Sequence, residues 1–202
     1  MAEPQSGGAN GRRLTPLRPE ELDDDQRRVY QAITAGPRAS GQRYFPLADD
    51  AGRLHGPFDA MLRSAPVGLA LQELGAALRY GTELPPRLRE IVILAVAAAE
   101  DSAFERYAHE AIAKGVGLSD RELAAIREAA DLVSGDPVEA AGLKAARMLV
   151  ADGDLDDETF ASLLGALGER RTFELTTLVG YYKLLALQLR VFRVPLPDTK
   201  QR

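Results

Sequence analysis

The sequence predicts an all-α protein, folded as a single-domain bundle of roughly eight helices. Apolar residues recur at spacings of three and four along most of the 202 residues, as they do in amphipathic helices. No segment shows the alternation of apolar and polar residues that marks a half-buried strand. Glycines and prolines stand mainly where the apolar segments begin or end, which is where helices tolerate them. We expect the helical domain to cover residues 14–198 and the polar residues 1–13 to form a disordered tail.

The first part of the chain contains three helical segments and one long loop. Residues 18–36 carry acidic side chains early and a glycine at their end, as an amphipathic helix does. Residues 37–56 are rich in Gly, Pro and Asp and therefore predict a loop. A short helix is expected to begin at Pro57 and to break near Pro66, and a longer one then runs to Gly81.

The middle of the chain contains its most apolar segment, "LPPRLREIVILAVAAAE", at residues 84–100. A buried strand could also be this apolar, but the length and the alanine content favour a helix. The adjacent prolines near its start fit a first helical turn. The next segment, "SAFERYAHEAIAKGVG" at residues 102–117, predicts an amphipathic helix that stops at its glycines.

The last part of the chain predicts four more helices from their start and stop signals. Ser119 and Glu122 have the spacing of a capping box, and Asp136 opens the helix after it. Asp156 or a neighbour begins a further helix. A long final helix, "TFELTTLVGYYKLLALQLRVF", ends before Pro195. Its two adjacent tyrosines are expected to be core or rim aromatics.

The composition argues against several classes of protein. A net charge of −5 and a pI near 5.2 do not favour a nucleic-acid partner. The chain lacks the apolar run of about 18 residues that a membrane helix needs, and its polar start lacks a secretory signal, so we expect a cytoplasmic protein. There is no cysteine, and His55 and His109 are its two histidines. Thiolate chemistry is therefore excluded, and we expect neither a metal site nor a cofactor.

Glu90 is the first candidate for acid–base chemistry. It stands in the first turn of the most apolar helix, where the helix dipole favours its charge and burial opposes it. Opposed effects of this kind are often used to tune a functional carboxylic acid. The alternative is a solvated first-turn acid that pairs with Arg87 or Arg89.

Glu105 and His109 are the second candidates, because a spacing of four places them on one face of a helix. A carboxylate at this distance can hold an imidazole in one tautomer and raise its pKa. Ser102 lies one turn earlier on the same stripe. The alternative is an ordinary surface Glu–His pair that contributes a few tenths of a kcal/mol to helix stability.

The order of three segments resembles the carboxymuconolactone decarboxylase family, which belongs with the alkylhydroperoxidase D-like proteins. These segments are "GPF" at 56–58, "LPPRLREIVILAVA" at 84–97 and "FERYAHEAIAKGVGLSD" at 104–120. The resemblance extends over about residues 50–195. It implies a helical fold, a small-molecule substrate and a homo-oligomer, commonly a trimer or a hexamer.

The resemblance also assigns roles to residues of this chain. Peroxidase members of the family have a proton-relay Glu, which matches Glu90, and a His, which matches His109. Their two cysteines fall on Ser102 and Glu105, so this chain keeps the acid–base groups and lacks both sulfur atoms. A hydroxyl or carboxyl group cannot replace a peroxide-reducing thiolate, and thiol peroxidase activity is excluded.

Other relatives carry an aromatic residue, Glu and Trp before the His, and this chain has Arg106 in place of the Trp. We expect Arg106 to change the wall of the binding pocket or to anchor a carboxylate. Phe104 and Tyr107 are expected to line that pocket, with Ser102 also contacting the substrate.

The sequence thus leads to two hypotheses of function. In the first, Glu90, Glu105 and His109 catalyse a cofactor-free decarboxylation or a related proton transfer on a small organic acid or lactone. Glu105 positions His109 in this hypothesis, and Glu90 relays the proton. In the second, the fold has lost its chemistry and serves as a ligand-binding or oligomeric scaffold.

Overall fold

Eight α-helices and one short 3₁₀ helix form the regular structure of the chain, as seen in a computed structural model that describes residues 11–36, 38, 44–132 and 135–197. The α-helices, in chain order, are α1 (Asp24–Thr34), α2 (Pro57–Met61), α3 (Ala65–Tyr80), α4 (Pro86–Ala99), α5 (Ala103–Gly115), α6 (Asp120–Arg127), α7 (Pro137–Ala151) and α8 (Asp157–Phe192). Within these described ranges no strand forms, and a single isolated bridge pairs Ala48 with Leu54. The all-α prediction is confirmed.

Several predicted helix starts have the expected caps. The Ser119 hydroxyl accepts a hydrogen bond from Glu122 N, and the Glu122 carboxylate accepts one from Ser119 N, so the capping box forms. The Asp136 carboxylate accepts from Val138 N at 2.8 Å and caps α7.

The first helical segment is shorter than predicted. Residues Pro19–Glu21 form the 3₁₀ helix, and α1 begins at Asp24. Asp23 is its N-cap, because the Asp23 carboxylate accepts a hydrogen bond from Gln26 N at 2.8 Å. The acidic residues from which the sequence predicted the start of one helix therefore lie in two elements, the 3₁₀ helix and α1.

The two helices predicted near the end of the chain are the two arms of α8. Gly168 lies between these arms with φ 74° and ψ 169°, which are non-helical angles. A positive φ of this size favours glycine, so the sequence places the kink at a residue that tolerates it.

The described residues fall into two compact units. The first contains the residues up to Ala76 together with those from Gln188 onward. Its buried side chains include Val29 and Ile33 of α1 and Met61 of α2. Most of the predicted disordered tail lies outside the described residues, but Arg13 N donates a hydrogen bond to Phe192 O at 3.1 Å.

The second unit, Ala77–Leu187, is organised around α4. Leu88 and the residues from Glu90 to Ala97 are all buried, and α4 packs against α5, α6 and α7. Arg87, at the start of α4, donates to Glu139 at 2.7 Å and also bonds Glu122 and the Gly117 carbonyl. These bonds hold the first turn of α4 against its neighbours. No helix in the described part of the chain is both long and apolar enough to span a membrane.

We predict that Gly68→Ala destabilises the first unit. A Cβ at Gly68 would overlap the Met61 carbonyl oxygen and lie 2.9 Å from its carbon, and backbone atoms cannot move aside cheaply. Overpacking of this kind costs about 1–3 kcal/mol. Urea denaturation followed by circular dichroism measures the loss of unfolding free energy.

Gly165→Ala is the matched control for Gly68→Ala. Gly165 is exposed in α8, and nothing lies within 4 Å of a Cβ built there. Alanine should therefore stabilise the helix by about 0.5–1 kcal/mol. Equal effects of the two substitutions would contradict the steric argument.

Candidate active site

Glu90 is buried because α4 is apolar around its whole circumference. A helix of this kind must be surrounded by protein, so its one acidic residue is carried into the interior. The Glu90 side chain is 0% exposed. The solvated first-turn acid considered from the sequence does not form, and Arg87 is bound elsewhere.

The buried face of α5 brings Glu105 and His109 toward α4. The buried residues of α5 recur at helical spacing and form one stripe: Phe104, Glu105, Ala108, His109, Ile112 and Ala113. Glu105 and His109 are 3% and 4% exposed, so they are not the surface pair of the alternative interpretation. Their shared face follows directly from the spacing of four.

The three predicted catalytic side chains meet around the imidazole of His109. Its Nδ1 lies 2.7 Å from Oε2 of Glu90, which is the distance of a charge-assisted hydrogen bond. Its Nε2 lies 3.6 Å from Oε2 of Glu105, too far for a hydrogen bond. The sequence suggested that Glu105 orients His109, whereas in the structure Glu90 makes the bond to the ring.

Cationic and hydrogen-bonding neighbours keep Glu90 ionised. Burial by itself raises the pKa of its carboxyl group, but the interactions with His109, followed by the charges of Arg79 and Arg89, hold the pKa below its ordinary value. Arg89 Nε lies 3.7 Å from Oε1 of Glu90. A carboxylate at this position therefore accepts a hydrogen bond from the Nδ1–H group of His109.

Burial favours the neutral forms of the other two groups. It lowers the pKa of the His109 imidazole, and the Glu90 carboxylate only partly offsets this effect. Burial raises the pKa of Glu105 to about 8; the charge of Arg79 opposes this rise and that of Glu90 adds to it. The sequence suggested a raised pKa for His109. The structure differs because desolvation of the ring outweighs the attraction of the carboxylate.

The three groups form one consistent arrangement of protons near neutral pH. Glu90 is a carboxylate, and His109 is neutral with its proton on Nδ1. Glu105 is protonated below its pKa of about 8. Only one of the two buried carboxyl groups is then charged, and Glu105 Oε2 lies 3.6 Å from Nε2, beyond hydrogen-bonding distance.

Some buried polar atoms around this cluster have no hydrogen-bond partner among the described residues. They are Glu90 Oε1, Glu105 Oε1, Ser102 Oγ, Arg79 Nε and Arg89 Nε. Buried polar groups in proteins are nearly always paired, so these atoms are candidates for hydrogen bonds to water or to a bound ligand.

Sequence reasoning missed two residues of this cluster. Tyr182 of α8 places its ring edge-on to His109, with the ring centroids 5.1 Å apart and an interplanar angle of 88°. Arg79, in the last turn of α3, acts electrostatically on Glu90, Glu105 and Tyr182. Neither residue had a local signal, because an arginine in a last helical turn and a tyrosine in an apolar helix are ordinary features.

The predicted substrate-contacting residues divide into two groups. Ser102 and Phe104 are buried at the start of α5, and the Phe104 ring lies 6.4 Å from that of the half-buried Tyr107. Arg106 instead pairs with Asp101 at 3.3 Å. It lines a shallow depression between α4, α5 and α6, together with Leu94, Ala98, Glu110, Leu123, Ile126 and Arg127. Its described contacts are therefore separate from the Glu90–His109 pair.

The described residues include no group of three or more His, Asp or Glu side chains arranged to hold a metal ion. The two carboxyl groups lie at opposite nitrogens of the imidazole, with Glu90 Oε2 hydrogen-bonded to Nδ1 and Glu105 Oε2 at 3.6 Å from Nε2.

The chain is similar to known proteins in both sequence and fold. Residues 65–148, which include Glu90, Glu105 and His109, match the carboxymuconolactone decarboxylase family model. No curated protein matches the chain. A solved alkylhydroperoxidase AhpD core, a peroxidase-related protein from Ralstonia eutropha JMP134, is 16% identical over 93% of each chain, with a TM-score of 0.70.

A second relative is the debrominase Bmp8, which is 16% identical over 91% of each chain, with a TM-score of 0.68. Its cysteine-to-alanine variant, solved in complex with 2,3,4-tribromopyrrole, has the same identity and TM-score. At these identities the solved structures establish a shared fold. The matched segment is similar in sequence to the carboxymuconolactone decarboxylase family, and the chain shares the fold of the AhpD core.

Proposed function

We propose that the protein catalyses a cofactor-free proton transfer, such as a decarboxylation, on a small organic acid or lactone. The observation that carries this proposal is the buried line from the Glu90 carboxylate through the His109 imidazole to the Glu105 carboxyl group. Acid–base catalysis needs a positioned group with a pKa near neutrality, and Glu105 with a pKa of about 8 meets this requirement.

Each group has a distinct role in this proposal. Glu90 accepts a hydrogen bond from the Nδ1–H group of His109. This bond fixes the tautomer of the imidazole and leaves Nε2 as its basic atom. Glu105 holds a proton at neutral pH and donates it to the substrate. His109 then takes a proton from solvent on Nε2 and passes it to Glu105, so that the acid is ready for the next turnover.

A decarboxylation on this site balances as follows. The bond between the substrate carbon and its carboxylate breaks, carbon dioxide leaves, and the electron pair remains on the substrate as an enolate. The enolate carbon takes a proton from Glu105, and a proton from water restores that acid by way of His109. No electron is exchanged with another molecule, so the reaction needs no redox partner.

Two findings support a small ring compound as the substrate. The matched family is named for decarboxylation of a lactone. The debrominase of the same fold binds 2,3,4-tribromopyrrole in its cysteine-to-alanine variant. This chain has no cysteine at all, so any reaction that it shares with such relatives cannot use a thiol of its own.

We expect His109→Ala and Glu90→Gln each to lower turnover of a carboxylated lactone by about 10²–10⁴-fold, because both remove the oriented imidazole base. Carbon dioxide release from a panel of such lactones measures the loss. Glu110→Gln is the matched control, since Glu110 is also on α5 but pairs with Arg127 at 2.9 Å. Full activity of His109→Ala on a substrate of the wild type would contradict the proposal.

The raised pKa of Glu105 predicts a pH-dependent stability. Its folded-state pKa is about 8 against an ordinary value of 4.5. Between these pH values the unfolded chain loses the Glu105 proton while the folded chain keeps it, so Glu105 lowers stability increasingly as pH rises. Glu105→Gln removes this effect.

The Tm of Glu105→Gln, relative to that of the wild type, should therefore increase from pH 5 to pH 8 and level off above it. Thermal scans across this range provide the measurement. Glu73→Gln, at an exposed position of α3, is the reference for the loss of one glutamate charge. A pH-independent difference between Glu105→Gln and the wild type would contradict the raised pKa of Glu105.

A scaffold without catalysis is the second candidate, and the burial of the cluster favours it. Glu90, Glu105 and His109 are all less than 5% exposed, as a structural hydrogen-bond network would be. The scaffold would bind ligands or assemble into oligomers. We propose a homo-oligomer, as the resemblance implies. This assembly is compatible with both candidate functions.

Modification by diethyl pyrocarbonate separates the two candidates. A substrate-accessible site predicts that native protein is carbethoxylated at Nε2 of His109, and that a converted lactone protects it. A sealed structural network predicts modification of His109 only after unfolding. Peptide mass spectrometry resolves the result, with the half-buried His55 as the internal reference.

A further inference from the structure

The cluster around His109 holds more positive than negative charge. The carboxylate of Glu90 carries one negative charge, whereas Glu105 and His109 are neutral near neutral pH. The guanidinium groups of Arg79 and Arg89 both act on Glu90 and on His109, and arginine keeps its charge throughout the physiological range. Two positive charges against one negative charge leave one positive charge unbalanced among these five groups.

The two arginines are also incompletely hydrogen-bonded. The Nε atom of each is buried and has no hydrogen-bond partner among the described residues. Arg89 Nε lies 3.7 Å from Oε1 of Glu90, which is an ion pair but not a hydrogen bond. Arg79 has no ion pair with any residue that the structure describes, and its guanidinium group lies 5.7 Å from the centroid of the Tyr80 ring. Arg79 is therefore the arginine whose charge is less offset by a direct partner.

Arg79 and Arg89 are also the most accessible groups of the cluster. Both are half-buried, whereas the two glutamates and the imidazole are each less than 5% exposed. Tyr80, next to Arg79, is 51% exposed, so the last turn of α3 lies at the surface. A solute that enters from this end meets the Arg79 guanidinium group before it meets the buried carboxyl groups.

We propose that Arg79 binds the carboxylate of a small organic monoanion. A guanidinium group offers Nε–H and a terminal N–H as two parallel donors, which match the two oxygen atoms of a carboxylate. Such a pair satisfies the buried Nε of Arg79 and balances the charge of the cluster. The inference rests on the proposed function for the identity of the substrate, and it narrows that substrate from an organic acid or lactone to a compound with one carboxylate.

The charge balance selects a monoanion over the alternatives. An uncharged lactone leaves the positive charge of the cluster unbalanced, and a dianion adds a second negative charge beside the Glu90 carboxylate. Buried charges without a partner are strongly unfavourable, so both alternatives should bind less tightly than a monoanion of the same size. A small ring compound with one carboxylate, such as 2-furoate, is therefore a suitable probe.

Titration calorimetry with 2-furoate at pH 7 tests the anchor. The wild type should bind this monocarboxylate, and Arg79→Gln should bind it about 10–100-fold more weakly, because a charge-assisted hydrogen-bonded pair is lost. The uncharged 2-furamide should bind the wild type at least about tenfold more weakly than 2-furoate does. Nitrate, a planar inorganic monoanion without an apolar part to bury, should also bind at least about tenfold more weakly.

Two further variants separate the anchor from general effects of charge. Arg79→Lys keeps the positive charge but lacks the planar pair of donors, so its affinity should lie between those of the wild type and Arg79→Gln. Arg170→Gln is the matched control, because Arg170 is in the same unit but pairs with Glu83 at 2.7 Å and with Glu174 at 3.2 Å. It should leave the Kd unchanged. Circular dichroism verifies that the variants are folded, and Arg79→Lys provides the comparison where Arg79→Gln is not.

The charge balance also predicts that binding depends on pH. The charged and titratable groups of the cluster, taken by element, are Arg79 of α3, Glu90 and Arg89 of α4, Glu105 and His109 of α5, and Tyr182 of α8. Glu105 ionises as the pH rises through about 8, and the cluster then loses its net positive charge. The affinity for 2-furoate should fall at least about tenfold from pH 7 to pH 9.5, and Glu105→Gln should abolish this fall. An equal fall in Glu105→Gln would contradict the selection of a monoanion.

The proposal is overturned by any of three results: no binding of 2-furoate to the wild type, equal affinity of Arg79→Gln for it, or equal affinity of the wild type for 2-furamide or nitrate. Calorimetry needs no turnover, so these results are distinct from a failure of the proposed function. Binding that depends on Arg79, without conversion of any lactone in the panel, would support the anchor and refute the catalysis. Turnover that depends on His109, without binding that depends on Arg79, would do the reverse.

Discussion

The hydrogen bond between Glu90 and His109 is the constraint on which the rest of the site depends. Helix α4 is apolar on every side, so it can only exist inside the protein, and it carries one carboxyl group with it. An unpaired carboxylate at 0% exposure would be strongly unfavourable. The imidazole of His109, at 2.7 Å, pairs one of its oxygen atoms and orients both side chains. Helices α4 and α5 must pack in one register to make this bond.

The buried charge of Glu90 also determines the protonation of its neighbours. Arg79 and Arg89 supply positive charge that keeps Glu90 ionised. A second carboxylate close to it would add repulsion and desolvation, so Glu105 is neutral and its pKa rises to about 8. The pKa values of two glutamates thus shift in opposite directions, downward for Glu90 and upward for Glu105.

The absence of cysteine limits the chemistry that this site can carry out. The chain contains no thiol, so electron transfer through a sulfur atom of its own is excluded. Ser102 and Glu105, at the positions where the resemblance puts the cysteines of peroxidase relatives, carry a hydroxyl and a carboxyl group. The fold shared with the AhpD core and the debrominase is therefore compatible with a chemistry that differs from theirs.

The sequence by itself determined the all-α class, most of the helix starts and the presence of Glu105 and His109 on one face. These features depend on local spacing and capping, which act within one or two helical turns. It also excluded thiol chemistry, since that needs only a residue count.

Tertiary structure alone decided that Glu90, rather than Glu105, bonds the imidazole, and that Arg79 and Tyr182 join the cluster. It also paired Arg106 with Asp101. Distances between helices and the loss of water around a group set these outcomes, and neither quantity is encoded in the spacing of residues along one helix.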